Sequence, residues 1–311
     1  MSEPTQDGRA VHDALAQHFE QYEVRRLLHD VPPHETYEVT VDGRRAVCKV
    51  ATDPRGDPTT EAHVISHVGR ETSVPVPTVI AVGTDHFVAA WHPDAPRTAT
   101  VDEATAHTMG AGVAALHDAT AGAFDAPGPF GADDGTLTVD GHEDWHAALT
   151  ARLADRRDYL STVGHADVAD AVVDFLRANP DALAGAGEPV LCHGDFVPAH
   201  ASVNGGELAC VIDFEHALCG PAEYDCWRTL LPLGIEADAA VVDRFRAGYE
   251  SVRSLSAGFE RREPVYRIVL TVSYLKSLYL QDRHDAGSTR ERAERLREVV
   301  FDGLDELERT Y

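Results

Sequence analysis

The feature that most constrains this fold is a polar loop between an apolar segment and a hairpin in the second half of the chain. Pro189 to Cys192 are apolar and predict a buried strand, and a loop over residues 193–200 that carries His193, Asp195 and His200 follows directly. Residues 201–212 predict a hairpin, because Asn204-Gly205-Gly206 is a typical turn sequence between two strand-like runs. A chain with this pattern must return to the end of the buried strand.

Three ionisable side chains flank the predicted hairpin. Asp195 and His200 lie in the polar loop, and Asp213 comes directly after the hairpin. We therefore expect all three to meet at the base of the hairpin. One carboxylate could accept a hydroxyl proton while the other groups hold a divalent cation. Each residue taken alone would equally suit an ordinary loop or the end of a strand.

A second candidate group lies near the N-terminus. Lys49 is one of only two lysines among 27 basic residues, and it follows an Asp42-Gly43 hairpin turn in a strand-like segment. A compact ammonium can meet phosphate oxygens where the planar arginine fork does not fit. Asp57-Pro58 opens a predicted helix whose first turn holds Glu61, which could pair with Lys49. The alternative is a strand-edge lysine and a glutamate that stabilises the helix N-terminus.

The remaining pattern predicts a small β-rich part followed by a helical part. In the N-terminal part we expect a helix over 11–28 and strands over 78–82 and 87–91, followed by a connector over 92–96. In the C-terminal part we expect helices over 104–117, 144–160 and 168–178, a Gly/Pro/Asp-rich loop over 122–135, and further helices after the second hairpin. This order predicts an α+β fold with two lobes. The N-terminal lobe would span 1–91 and the larger helical lobe 92–311.

Composition limits the partners. The chain has 52 acidic and 27 basic residues, a net charge of −25, which disfavours nucleic acid. The acidity could attract a cationic substrate or keep the surface hydrated in high salt. The near absence of lysine favours a halophilic, salt-adapted surface, as in haloarchaeal proteins. The sequence shows no signal peptide, no apolar run long enough for a membrane span, and an odd number of cysteines, so we expect a cytoplasmic protein without disulfides or a zinc site.

The order of these motifs resembles the aminoglycoside phosphotransferase/choline kinase family, relatives of the protein kinases. The resemblance runs from about residue 25 to residue 280. It rests on Val47-Cys48-Lys49, Glu61, His193-Gly194-Asp195-Phe196, Ile212-Asp213-Phe214-Glu215 and Pro221-Ala222-Glu223-Tyr224-Asp225. It implies a two-lobed kinase-like fold and an ATP-dependent phosphotransferase that acts on the hydroxyl of a small molecule.

The resemblance also implies roles for the matching residues. Lys49, held by Glu61, would bind the α- and β-phosphates of ATP. Asp195 would be the catalytic base, and Asp213 would bind Mg²⁺. Backbone groups of the connector would meet adenine, at Ala90 and His92. His193 and Asp225 would be structural supports of the catalytic loop.

Two positions depart from the family pattern. His200 replaces the usual asparagine at the metal, as in macrolide phosphotransferases, and an imidazole ligand suits Mn²⁺ better than Mg²⁺. The predicted phosphate loop, residues 29–36, contains no glycine, and its Glu35 would disfavour phosphates. These departures leave open a catalytically weak or inactive kinase-fold protein that binds a nucleotide or metabolite.

Several kinds of phosphate acceptor are compatible with the sequence. A protein kinase is disfavoured because His-Gly-Asp replaces His-Arg-Asp and Asp225 follows Asp213 by only twelve residues. The family's acceptors include aminoglycosides, macrolides, choline, homoserine, fructosamines and other sugars. Acidic groups near the acceptor would suit a cationic substrate, but they carry little information in a chain of net charge −25.

Overall fold

The computed structural model describes residues 8–96 and 100–311, and it shows a β-sheet region followed by a mainly helical region. An antiparallel sheet has the strand order β1-β2-β3-β5-β4. Its strands are β1 (Tyr22–Val31), β2 (His34–Val41), β3 (Arg44–Ala51), β4 (Val79–Val82) and β5 (His86–Ala90). Helix α1 (Arg9–Ala16) precedes the sheet, and helix α2 (Pro58–Glu71) connects β3 to β4.

The second region combines helices with short strands. Its helices are α3 (Glu103–Ala119), α4 (Trp145–Thr162), α5 (Ala166–Ala178), α6 (Glu223–Glu236), α7 (Ala239–Glu250), α8 (Phe259–Gln281) and α9 (Ala286–Glu308). Its strands are β6 (Gly128–Asp133), β7 (Thr136–Val139), β8 (Pro189–Cys192), β9 (Ala201–Asn204), β10 (Glu207–Val211) and β11 (Leu218–Pro221). A four-stranded sheet has the order β7-β6-β11-β8, and β9 pairs with β10 as a hairpin. The α+β fold predicted from the sequence is confirmed.

The β2–β3 hairpin decides where Lys49 points. Asp42 and Gly43 both have positive φ, as the tight turn requires, and Val41 pairs with Arg44. Alternation along β3 then buries Cys48 with the apolar cluster under α1, while Lys49 lies on the opposite face, towards α2. The turn type therefore places an ammonium group on the inner side of the sheet.

Helix α2 begins where the sequence predicted. The Asp57 carboxylate accepts the N–H of Thr60 at 2.9 Å, a cap that contributes about 1 kcal/mol to helix stability. Ala62, Ile65 and Val68 are buried against the main core. This orientation turns Glu61, in the first turn, towards β3.

Three elements differ from the sequence-based expectation. The predicted helix over 11–28 is wrong after α1, because residues 22–31 form β1. Leu27 and Leu28 are 46% and 37% exposed on this edge strand. Because most of its side chains are exposed, the sequence of the strand shows no clear alternation of apolar and polar residues. The predicted loop over 122–135 is also wrong in part, because β6 and β7 form a hairpin that turns at Asp134-Gly135. Strand β11 lies in a segment for which only helices were predicted.

Two further predictions concern the whole chain. No helix within residues 8–96 and 100–311 is long and apolar enough to cross a membrane. Strand β5 ends at Ala90 and α3 begins at Glu103, and residues 97–99 of the connecting segment lie outside the described residues. The division into lobes of residues 1–91 and 92–311 stays a prediction.

Candidate active site

The loop that carries Asp195 is shaped by Asp225 in the first turn of α6. The Asp225 carboxylate is fully buried and accepts the backbone N–H of His193 at 2.6 Å and of Gly194 at 2.7 Å. Its Oδ2 also lies 3.2 Å from Nε2 of His117. A buried carboxylate with these partners fixes the start of the loop and is not available to a ligand.

His193 braces the same loop. Its Nε2 donates to the carbonyl of Ile212 at 2.9 Å, and its Nδ1 accepts the N–H of Asp195 at 3.2 Å. One ring nitrogen is therefore a donor and the other an acceptor, as in a neutral imidazole. Burial lowers the pKa of His193, in agreement with this state.

Gly194 sets the distance between the two acid-bearing segments. Its φ is +79°, and a Cβ at this position would lie 2.0 Å from the carbonyl oxygen of His216. Only glycine allows the loop before Asp195 to pass so close to the segment after Asp213.

The structure brings together the three side chains expected at the base of the hairpin. Nε2 of His200 lies 3.3 Å from Oδ2 of Asp213, and its Nδ1 lies 3.5 Å from Oδ2 of Asp195. The Nδ1 also lies 2.9 Å from the carbonyl oxygen of Asp195. A carbonyl only accepts, so Nδ1 carries a proton and Nε2 is the atom presented to Asp213.

Lys49 joins the sheet to this group. Its Nζ lies 2.7 Å from Glu61 Oε2, 3.0 Å from Asp213 Oδ1 and 2.8 Å from Glu215 Oε2. The contact expected between Lys49 and Glu61 is therefore present. Burial alone would lower the pKa of Lys49, but attraction to the three carboxylates outweighs it and raises the pKa well above its ordinary value.

The three carboxylates differ in how readily they bind a proton. Burial is the largest effect on Glu61 and raises its pKa to about 7. Burial also acts to raise the pKa of Asp213, but Lys49 outweighs it and holds the pKa at about 2. The pKa of Glu215 is likewise held low, since Lys49 and a hydrogen bond from His34 outweigh burial. Asp213 and Glu215 are thus anionic at neutral pH.

Glu215 is a site residue whose role the sequence analysis missed. Besides Lys49, its Oε2 contacts Nδ1 of His34 at 2.9 Å, which ties the β1–β2 turn to the segment after Asp213. The available signal was its spacing. Glu215 lies two residues after Asp213 with the buried Phe214 between them, and both carboxylates contact Lys49.

The backbone groups expected at adenine have partners of their own. The N–H of Ala90 donates to the carbonyl of Thr78 at 2.8 Å, and the carbonyl of His92 accepts from Ala95 at 3.2 Å. The carbonyl of Ala90 and the N–H of His92 are then the groups that could meet a base. Both residues lie where β5 leaves the sheet.

Among the described residues, two clusters place possible metal-binding atoms within 4.8 Å of one another. One contains Glu61, Asp213 and Glu215, next to His200. The other contains His117, Cys192 and Asp225, but its carboxylate already binds backbone N–H groups. All five cysteines are buried free thiols. The first cluster, with carboxylate oxygens, is the one suited to a hard divalent cation.

A cavity of about 240 Å³ opens beside Gly194, Glu215 and His216. It is bounded by the β1–β2 turn on one side and by α4, α6 and α8 on the other. Arg228 of α6 lines it and donates from Nε to Oδ1 of Asp195 at 2.9 Å. Burial would raise the pKa of Asp195, but Arg228 and nearby imidazoles outweigh it, so the pKa lies below its ordinary value.

Known proteins place this geometry in a family. The Escherichia coli protein YniA, described as a probable ketoamine kinase, is 28% identical over 218 residues, which cover 68% of this chain and 71% of that protein. An aminoglycoside phosphotransferase, APH(4)-Ia, solved with ADP and hygromycin B, has a TM-score of 0.66 at 16% identity, covering 95% of this chain and 98% of the other.

A macrolide 2′-phosphotransferase, MphH from Brachybacterium faecium, has a TM-score of 0.57 at 18% identity and covers 92% of this chain and 97% of the other. Both structures share the fold with this chain. The sequence profile of the phosphotransferase enzyme family matches residues 23–265. The resemblance predicted from the sequence motifs is therefore confirmed, and the chain belongs to the phosphotransferase enzyme family.

Proposed function

We propose that this chain is a cytoplasmic, salt-adapted kinase that transfers the γ-phosphoryl group of ATP to a hydroxyl of a small molecule. The observation that carries the proposal is one continuous set of contacts. Lys49 reaches Asp213 at 3.0 Å, and His200 lies between Asp213 and Asp195 at 3.3 and 3.5 Å. A phosphate-binding cation, a metal-binding carboxylate and a base are the parts that phosphoryl transfer requires.

Lys49 would bind the α- and β-phosphates. Glu61 is almost fully buried and lies 2.7 Å from the ammonium, so it would hold Lys49 in place as phosphate oxygens replace its contacts with Asp213 and Glu215. The carbonyl of Ala90 and the N–H of His92 would meet adenine.

Asp213 and His200 would hold a divalent cation, and Glu215 could add a further oxygen. The residues fit such an ion, because Nε2 of His200 faces Asp213 and the carboxylate oxygens converge beside it. Mg²⁺ or Mn²⁺ would neutralise phosphate charge there, and the imidazole nitrogen favours Mn²⁺.

Asp195 would accept the proton of the acceptor hydroxyl. Arg228 occupies its Oδ1, which leaves Oδ2 as the accepting atom. A carboxylate with a lowered pKa is a weak base. It suits a loose transition state in which positioning of the hydroxyl matters more than early proton removal.

The relatives suggest sugar-like acceptors. The names of these relatives refer to ketoamines, hygromycin B and macrolides. All three kinds of compound carry hydroxyl groups on sugar or sugar-like parts. We therefore place the acceptor hydroxyl in the cavity beside Asp195.

The test is metal-dependent nucleotide binding, followed by thermal unfolding in high salt. A ligand that binds only the native protein at 100 times its Kd adds about 2.7 kcal/mol to the free energy of unfolding. We expect such a shift with ATP plus Mg²⁺ or Mn²⁺, and its loss in Asp213→Asn. Asparagine is the appropriate change because Asp213 has a φ of +67°, a region that asparagine tolerates.

Asp134→Asn is the matched control, since Asp134 also has positive φ but lies in an exposed turn. An absent shift with every nucleotide and metal would contradict the proposal and leave a kinase-fold protein that binds another ligand. His200→Asn should change the ratio of the shifts with Mg²⁺ and Mn²⁺. An unchanged ratio would argue against His200 as a metal ligand.

A further inference from the structure

The cavity beside Asp195 reverses the charge balance of the chain. Acidic residues outnumber basic ones by 52 to 27 in the whole sequence. The cavity is instead lined by four cationic side chains and two carboxylates. The cations are Arg55, Arg156, Arg228 and Lys276, and the carboxylates are Asp57 and Glu215.

Neither carboxylate forms an ion pair with these four cations within residues 8–96 and 100–311. Glu215 is bound to Lys49 at 2.8 Å and to His34 at 2.9 Å, both outside the cationic group. Asp57 caps helix α2 through the N–H of Thr60. The acids of the cavity are thus engaged elsewhere.

Two of the four cations have carboxylate partners, since Arg55 binds Asp53 at 2.7 Å and Arg228 binds Asp195 at 2.9 Å, whereas Arg156 and Lys276 contact neutral groups. Arg156 donates from Nε to the hydroxyl of Ser273 at 2.6 Å and from Nη1 to the carbonyl of Arg152 at 2.9 Å. Lys276 lies 5.8 Å from the ring centre of Tyr159. Within residues 8–96 and 100–311, no carboxylate forms an ion pair with Arg152, Arg156 or Lys276.

Arg228 adds a donor without a partner. The residue is 6% exposed, and its Nη1 is buried without a hydrogen bond while Nε binds Asp195. A buried polar group left unpaired costs about 1–3 kcal/mol. The Arg228 guanidinium therefore has unused hydrogen-bonding capacity next to the proposed base.

The electrostatic effect of the cluster is visible on its neighbours. Burial, together with Arg156, Arg152 and Arg55, lowers the pKa of Lys276 to about 8. Burial acts to raise the pKa of Tyr224, but Arg152 and two other guanidinium groups outweigh it and lower the pKa. Like charges gathered in a half-buried cavity destabilise the protein unless an anion joins them.

Building on the proposed kinase function, we propose that the acceptor is an anionic, hydroxyl-bearing small molecule. Its carboxylate or phosphate group binds Arg156 and Lys276, and Arg228 lies between this anion and Asp195. The acceptor oxygen forms a bond to the γ-phosphorus as the bond from that phosphorus to the β–γ bridging oxygen breaks. The hydroxyl proton passes to Asp195, and ADP leaves.

This assignment separates the chain from its aminoglycoside-modifying neighbours. A polycationic aminoglycoside would bring its ammonium groups against Arg156 and Lys276, and like charges in such a site repel. In this cavity four cationic side chains face two carboxylates, so the acidic surroundings considered from the sequence as a reason for a cationic substrate do not dominate here.

The two lysines of the chain allow a test that needs no knowledge of the true acceptor. An amine-acylating reagent at pH 8 should modify Lys276, whose pKa is lowered, and spare the buried and ion-paired Lys49. Peptide mass spectrometry then measures the rate of acylation at Lys276. The probes are D-gluconate, D-glucitol 6-phosphate, neutral D-glucitol and cationic choline.

We expect at least one of the two anions to slow acylation of Lys276 by fivefold or more, while glucitol and choline change it less than twofold. Protection by gluconate alone indicates a carboxylate acceptor, and protection by glucitol 6-phosphate alone a phosphate ester. Equal protection by glucitol, or none by either anion at tens of millimolar, would overturn the inference. Full protection by ATP and metal alone would assign the cluster to the nucleotide.

Turnover gives a second readout. Arg156→Met and Lys276→Met should each raise KM for an anionic acceptor by about 10- to 100-fold, the effect of losing one charged hydrogen bond, with KM for ATP unchanged. Arg157→Met is the matched control, because Arg157 follows Arg156 on α4 but binds Asp170 at 3.0 Å on the surface. Equal effects in all three variants would contradict the assignment.

The experiments distinguish failure of the kinase proposal from failure of the anionic-acceptor proposal. ATP-dependent stabilisation that is lost in Asp213→Asn, without protection of Lys276 by any anion, leaves the kinase function and removes the anionic acceptor. Protection without nucleotide binding leaves an anion-binding protein and removes the kinase.

Discussion

The two lysines of this chain lie in opposite electrostatic surroundings. Lys49 is surrounded by Glu61, Asp213 and Glu215, which raise its pKa well above the ordinary value. Burial and three arginines lower the pKa of Lys276 to about 8. The first lysine is held in its charged form by the protein, whereas the second keeps its charge at a cost to stability.

The surplus charge differs in sign between the two places. Around Lys49 three carboxylates face one ammonium, so the excess is negative and suits a metal cation. Around Lys276 the excess is positive and suits an anion. Asp195 lies at the boundary, since His200 connects it to the first group and Arg228 to the second. The comparison indicates that a half-buried charged side chain without an oppositely charged partner in the protein marks a place where an oppositely charged ligand binds.

The largest expected effect comes from Asp195, which lies between the negative group around Lys49 and the positive group around Lys276. Asp195→Asn should lower kcat by about 10²- to 10⁴-fold, the usual contribution of a general base, because the amide cannot accept the hydroxyl proton. The nucleotide-dependent shift in unfolding should persist, since Lys49 and Asp213 are unchanged. Asp170→Asn, on the surface beside Arg157, is the control and should leave kcat unchanged. A tenfold or smaller loss of kcat would remove Asp195 from the chemistry.

The next effect is on the group around Lys49. Lys49→Met leaves three neighbouring carboxylates without their cation and should lower the free energy of unfolding by about 3–5 kcal/mol. Denaturant unfolding measures this loss. Adding Glu215→Gln should restore part of it, because one surplus charge is removed. A double variant no more stable than Lys49→Met would show that repulsion is not the cause.

The smallest effect, opposite in sign, is expected at Lys276. Lys276→Met should raise the free energy of unfolding by about 1 kcal/mol at pH 7, because it removes a like charge from the cationic group. The folded-state pKa of about 8 lies below the unfolded value of 10.5, so wild type pays the full penalty below pH 8. The advantage of the variant should therefore fade as pH rises from about 8 towards 10.5.

Unfolding curves at pH 7 and pH 10 measure this difference, with Arg157→Met as the surface control. Destabilisation by Lys276→Met at pH 7, or an advantage that grows with pH, would contradict the contrast between the two lysines.

The contacts predictable from the sequence were local. Asp195, His200 and Asp213 flank one hairpin whose turn residues are explicit, and the Asp42-Gly43 turn determines the face of Lys49. Helix α2 begins at the expected cap and so presents Glu61 to Lys49. In each case a short-range rule of backbone geometry places the side chain.

Elements without a burial pattern were not predictable in the same way. Strand β1 exposes most of its side chains at the sheet edge, so its residues show no alternation. The β6–β7 hairpin turns at Asp134-Gly135, the same signal as Asp42-Gly43, but Gly128 and Gly131 in β6 resemble a loop in composition. Pairing with β11 and β7, and not propensity, makes β6 a strand.

The cationic cavity depends on tertiary packing. Its cations come from the segment between β3 and α2 and from α4, α6 and α8, and they are separated by up to 221 positions, so no local spacing connects them. One signal was available. Lysine is nearly absent from this chain, and the two that remain, Lys49 and Lys276, both lie at the proposed site.

The close passage of Gly194 beside His216 has a consequence for how this chain can vary. Because this close approach is between main-chain atoms, it does not depend on the size or charge of the exposed side chains around the site. The charge of the outer surface and the lining of the cavity can therefore vary while Asp195 and Asp213 keep their spacing. A residue without a side chain thus fixes one dimension of the site and leaves the others free to vary.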